Sequence, residues 1–140
     1  MKPDRKSLRR LDRLEHLRAI ARRQALSEAG RAEAHLARTS ELGERTAALI
    51  AGYADARDAA CGADLARQRQ FVAALQRLAH DNSAEIARAR AQADTRAAEA
   101  AAAERRRAAV ETRADAARRL LQRDAATSAQ PLGGKTRPRS

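Results

Sequence analysis

Residues 53–71 read Tyr53-Ala54-Asp55-Ala56-Arg57-Asp58-Ala59-Ala60-Cys61-Gly62-Ala63-Asp64-Leu65-Ala66-Arg67-Gln68-Arg69-Gln70-Phe71, and this stretch decides the fold. Gly62 suits the left-handed residue that follows a helix end, where a Cβ would be strained. Asp64 is placed to cap a helix that follows. A turn over about residues 60–64 is therefore expected. Tyr53 and Phe71 are the only aromatic residues of the chain, and they stand nine residues either side of Gly62. Doubling back there sets Tyr53 opposite Phe71, Leu49 opposite Leu75, and Thr46 opposite Leu78. That symmetry favours a hairpin over a straight helix paired only with a second copy.

Downstream, no Gly or Pro occurs between Ala63 and Gln130. A helix over about 65–124 is expected, with Asp81-Asn82-Ser83 the one local candidate for a break. With heptad position a at Leu65, the a row is Leu65, Val72, Ala79, Ile86, Ala93, Ala100, Arg107, Ala114 and Leu121. The d row is Gln68, Leu75, Asn82, Ala89, Arg96, Ala103, Val110 and Ala117. Thirteen of these seventeen residues are apolar, and the 3.5-residue period never slips, which is the pattern of a left-handed coiled coil.

Upstream, a first helix is expected over about 7–60, with Ser7 as its N-cap although Arg10 stands where a capping box would place Glu. Gly30, Gly43 and Gly52 soften it by roughly 1 kcal/mol each relative to Ala. Ala25, Ala29, Ala32, Leu36, Thr39, Thr46, Ile50, Tyr53 and Ala60 hold one register. Leu14, Leu17 and Ala21 hold another, so a stutter is expected near residues 21–25. Residues 127–140 contain Pro131, Gly133, Gly134 and Pro138 and are expected to form a disordered basic tail. The predicted fold class is all-α: one domain over residues 1–126, a long two-helix antiparallel coiled-coil hairpin with a disordered C-terminal tail.

Composition agrees. The 140 residues include no Trp, one Tyr and one Phe. Ala dominates the apolar residues and buries little area, at roughly 25 cal/mol per Å², so a thick globular core is not available. Ala, Arg, Leu and Glu are the strongest helix formers. Cys61 is the only cysteine, so no internal disulfide can form, which fits a reducing compartment. No run approaches the ~18 apolar residues of a membrane span, and no apolar h-region follows the charged N-terminus, so a standard secretory signal is not expected.

The net charge is +11. A GC-rich genome raises Arg and Ala together but does not dictate where the charges lie. Residues 1–23 carry nine basic and three acidic side chains, and residues 104–140 carry ten and four. A hairpin gathers both groups at its open end and leaves the turn half near neutrality, which suggests two binding ends with different partners.

Catalytic chemistry finds no support. His16, His35 and His80 have no metal-ligand spacing, and Cys61 lies near none of them. Residues 129–136, Ala129-Gln130-Pro131-Leu132-Gly133-Gly134-Lys135-Thr136, match a loose P-loop pattern. A P-loop, however, needs a strand before it and a helix after it. No enzyme activity, cofactor or metal is expected. Basic helices can hold nucleic acid through phosphate contacts, but single-strand binders add aromatic platforms, and both aromatics lie near the turn.

The turn region also carries a resemblance. Leu49-Ile50-x-x-Tyr53, then Arg57, Gly62 and Gln70-Phe71-Val72-x-x-Leu75, resembles the FliJ family of the bacterial flagellar type III export apparatus over about 30 residues. The resemblance implies an antiparallel coiled coil like that of the gamma subunit of rotary ATPases. It implies a cytoplasmic protein, peripherally associated with the inner membrane at the flagellar base, that touches the membrane only through partners. Those partners would be the hexameric export ATPase (FliI-like), the export gate (FlhA-like) and export chaperones, with no nucleic acid. Matching the family's gate-contacting face gives Phe71, Leu75, Leu78 and Asn82. Leu78 and Asn82 depart from the family's commoner residue types, and the heptads place Leu75 and Asn82 in the seam. For the end entering the ATPase pore the basic group is Arg9, Arg10, Arg13, Arg105, Arg106, Arg107, Arg118 and Arg119. The competing readings are a generic cytoplasmic coiled-coil adaptor and a basic nucleic-acid-binding rod.

Overall fold

The fold, given by a computed structural model, is described for residues 3–55 and 62–130. It consists of two long helices packed against each other, α1 (Arg5–Asp55) and α2 (Gly62–Ala129), with no strand among the described residues. Two compact units form along them, one from residues 3–24 with 101–130 and the other from 25–55 with 62–100.

In the second unit Glu28 meets Arg96, His35 meets Glu85, Thr39 meets Asn82 and Tyr53 meets Phe71. Partner numbers fall as α1 numbers rise, so the helices run in opposite directions there. The first unit shows the same order, with Asp12 and Glu15 on Arg118 and Arg22 on Glu104.

α2 keeps the expected phase. Of its seventeen a and d residues only Leu65 is exposed; Leu75, Asn82, Ala89, Ala93, Ala100, Ala103, Val110, Ala114 and Ala117 are buried. The helix runs through Asp81-Asn82-Ser83 without a break. In the second unit Ala25, Ala29, Ala32, Leu36, Thr39, Gly43, Thr46 and Ile50 of α1 face this seam.

The expected stutter is absent. The inward-facing residues of α1 in the first unit are Leu8, Leu11, Glu15, Arg18 and Arg22, in the same three-four alternation as residues 25–50. Leu14 and Leu17 are instead 36% and 56% exposed. An unbroken helix holds one phase. Long Arg stems can fill the space beside a partner that offers mostly Ala, because their methylenes pack there. Charged residues therefore occupy positions that a pattern of apolar residues alone would not assign to them.

The helix ends also differ from expectation. Asp4, not Ser7, caps α1: its Oδ1 accepts the Ser7 N–H at 2.6 Å, and its carbonyl accepts the Leu8 N–H at 3.0 Å. Asp4 directly precedes the helix, so a carboxylate meets the first free N–H groups. The Ser7 N–H bond holds the Asp4 carboxyl below its ordinary range.

α2 begins at Gly62, three residues before the expected start, and no described glycine has positive φ. Gly62 is therefore not a left-handed cap. Asp64 lies in the first turn, where its charge faces the unpaired N–H groups. Residues 56–61, which include Ala60 and Cys61, lie outside the described residues. α2 continues to Ala129, so residues 127–129 are helical rather than part of a tail, and residues 131–140 lie outside the described set. The P-loop-like stretch thus begins on the last residue of a helix, not after a strand.

One polar layer interrupts the second unit's seam. Asn82, 6% exposed, donates from Nδ2 to the Thr39 carbonyl at 3.3 Å. A Cβ on Gly43 would stand 2.8 Å from Asn82 Nδ2 and 3.0 Å from Ile86 Cδ1. A side chain at 43 would have to push the Asn82 amide and the end of Ile86 aside, whereas a Cβ at Gly30 or Gly52 would meet nothing within 4 Å. The buried hydroxyls of Thr39 and Thr46 donate to the carbonyls of His35 and Leu42, each at 2.8 Å. Local back-bonding of this kind satisfies a buried Thr without an interhelical partner.

Candidate partner-binding surfaces

Numbering both seams with a at Leu8 and at Leu65 gives each helix an e row and a g row beside the interface. Helices running in opposite directions place g beside g along one edge and e beside e along the other. Two contacts carry this register: Asp12 with Arg118 joins e to e, and His35 with Glu85 joins g to g.

In the first unit the predicted arginines separate into two groups. Arg107 is enclosed by its own helix, donating to Glu104 and Glu111 at 2.7–3.0 Å. Those carboxylates raise its already high pKa, and Arg107 is the largest influence lowering that of Glu104. Arg118 donates to Asp12 at 2.6 Å, to Asp115 at 2.8 Å and to Glu15 at 3.2 Å, and its pKa is likewise raised, first by Asp12. Arg118 ties α2 to α1, whereas Arg107 braces α2 alone. Arg9, Arg10, Arg13, Arg105, Arg106 and Arg119 are exposed and form no salt bridge among the described residues. Of the eight predicted arginines, these six are the ones exposed for an acidic partner.

The resemblance-derived residues of the second unit also separate into two pairs. Phe71 and Leu78 are 47% and 46% exposed and lie one heptad apart in the g row. Leu75 and Asn82, 8% and 6% exposed, lie in the seam. One partner surface can include the first pair directly, while the second pair supports it from beneath. Phe71 stands edge-on to Tyr53, with ring centroids 5.0 Å apart and planes at 63°, a favoured aromatic geometry. The contact fixes Phe71 without hiding it.

The sequence reading missed the α1 half of this edge. Leu42 and Leu49 are 48% and 51% exposed and occupy the g row of α1. The register interleaves them with Phe71 and Leu78, giving an apolar strip drawn equally from both helices. The α1 register from Ala25 to Ile50 already leaves both leucines beside the seam; setting Leu49 opposite Leu75 by distance from Gly62 alone is what places it in the seam.

Among the described residues no cluster of three or more His, Cys, Asp or Glu side chains is arranged to hold a metal, and no helix is long and apolar enough to cross a membrane. His35 Nε2 lies 3.3 Å from Glu85, whose pKa is lowered chiefly by its hydrogen bond from Arg88 and next by His35. This arrangement is a hydrogen-bonded contact at the interface edge.

No family model, no curated protein and no solved structure matches this chain.

Proposed function

We propose that the chain is a non-enzymatic stalk of the bacterial flagellar type III export apparatus. In this reading it is an antiparallel coiled-coil hairpin that links the hexameric export ATPase to the membrane export gate and promotes export of flagellar proteins. It works in the cytoplasm, at the inner-membrane face of the flagellar base, and assists export chaperones.

The observation that carries the reading is the first unit. It brings two strongly basic stretches, distant in sequence, side by side, with Asp12 on Arg118 and Arg22 on Glu104. Their exposed arginines offer a concentrated positive field to an acidic pore, where long-range attraction speeds encounter. Further support comes from the FliJ-like residues Leu49, Ile50, Tyr53, Phe71, Val72 and Leu75, among which Tyr53 and Phe71 are in contact. The exposed strip containing Phe71 and Leu78 supplies the gate contact.

The test is binding of the purified chain to a flagellar export ATPase and to the cytoplasmic domain of an export gate protein. Arg105→Glu with Arg119→Glu should weaken ATPase binding at least about tenfold and leave helicity unchanged, since neither residue forms a salt bridge among the described residues. Phe71→Ala with Leu78→Ala should weaken gate binding and spare ATPase binding. A wild-type chain that binds neither protein, but shifts bulk DNA in a salt-sensitive manner, would refute the proposal.

A further inference from the structure

The two edges of the first unit differ in chemistry. The e edge holds Asp12, Glu104, Glu111 and Arg118 and is closed by ion pairs. Asp115 adds to the Arg118 cluster, Glu15 faces the seam, and Asp4 caps α1. The g edge takes Leu14 and Ala21 from α1, and Arg106, Arg113 and Leu120 from α2. It contains no carboxylate. Leu14, Leu17 and Leu120 are 36%, 56% and 45% exposed, and Ala21, Arg106 and Arg113 are exposed as well. Leu17 stands one turn from Leu14 on the outer side of the same edge.

From this asymmetry we infer that the g edge of the first unit is a docking groove for a third helix, an acidic amphipathic one supplied by another protein. Large apolar side chains at one-turn intervals are the anchors that a helix-in-groove contact uses. Ala21, with Ala109 and Ala116 further out on α2, lets a partner backbone approach closely. The unopposed guanidinium groups of Arg106 and Arg113 select carboxylates flanking the partner's apolar stripe. A second copy of this basic edge would bring like charges together, so self-association through it is disfavoured. A membrane surface is also a poorer match, because interfacial helices set a broad apolar face rich in Trp, Phe and Leu into the lipid, and this edge offers three leucines between arginines. The inference does not depend on the export apparatus and would hold for any partner carrying such a helix.

The test uses the full chain and a fluorescent peptide of about three heptads, with Leu and Ala at its a and d positions and Glu elsewhere. A scrambled isomer of identical charge is the control. At about 0.15 M salt the amphipathic peptide should bind at least about tenfold tighter than its isomer. Leu14→Asn with Leu17→Asn should abolish that difference, while Leu42→Asn with Leu49→Asn in the other unit should leave it intact. Arg113→Gln reads the same edge from α2 and serves if the double leucine variant loses helicity. Equal affinity for the two peptides, indifference to these changes, or no binding would overturn the inference. So would Leu17-dependent binding to phosphatidylglycerol vesicles in preference to the peptide, or Leu17-dependent dimerisation in sedimentation.

Discussion

Single side chains set the limits of this fold's stability. Gly43 lies against Asn82 and Ile86, so a methyl group there must displace a buried amide. Gly43→Ala should therefore lower the melting temperature despite the better helix propensity of Ala. Gly30→Ala and Gly52→Ala meet open space and should each stabilise by roughly 0.5–1 kcal/mol. Calorimetry of the three variants checks the contrast. Arg18 faces the seam, and its Nε is buried without a hydrogen-bond partner among the described residues. Arg18→Leu should raise stability by about 1 kcal/mol, since it removes an unsatisfied donor and adds apolar burial. Asp4 titrates with a defined sign. Its folded pKa is depressed, so its contribution is present above the unfolded value and is lost as pH falls through the folded one. Helix signal from the N-terminal turns should decline below about pH 4. Asp4→Asn should remove that decline, because an amide oxygen still accepts the Ser7 N–H.

At the scale of elements, what the sequence made legible depended on how the seam was filled. α2 was readable throughout because its seam is apolar almost everywhere, and Asn82 and Arg96 fell in phase with their neighbours. The Tyr53–Phe71 contact was readable from spacing alone. The N-terminal third of α1 was not, because Glu15, Arg18 and Arg22 occupy seam positions while Leu14, Leu17 and Ile20 point away. A search for apolar periodicity follows the leucines and reports a stutter. The facing helix decides otherwise: small Ala103, next to the Glu104 that Arg22 reaches, leaves room for a long basic stem. Counting outward from Gly62 sets Leu49 opposite Leu75, although the register of residues 25–50 leaves Leu42 and Leu49 at the surface. The cap was misjudged by three residues because Asp4 and Ser7 both suit an N-cap, and only the hydrogen bond between them shows which one acts. The ion pairs that join the two helices among the described residues, Arg22–Glu104, Asp12–Arg118, Glu15–Arg118 and Glu28–Arg96, are partly exposed. Each contributes little alone and weakens with salt. Arg118→Gln should lower the melting temperature modestly at low salt, and that loss should shrink toward about 1 M salt.

For the molecule as a whole, two long helices with an Ala-rich interface bury little area, so stability is expected to be low and easily raised by a partner. A bound protein should increase the melting temperature by mass action, and differential scanning fluorimetry with added export ATPase would register it. The proposed function requires the chain to fold back on itself, so that the stretch around Arg13 lies beside the stretch around Arg119. Spin labels at these two exposed positions, in a chain with Cys61→Ser, measure that directly. Interaxial spacing of helices is about 8–10 Å, so labels on the outer faces should lie roughly 20–35 Å apart, a distance unaffected by excess unlabelled chain. An unbroken helix would separate them by about 160 Å at ~1.5 Å per residue. The folded-back chain predicts a short distance that survives dilution with unlabelled protein. A short distance that vanishes on dilution, or none within range, would contradict it.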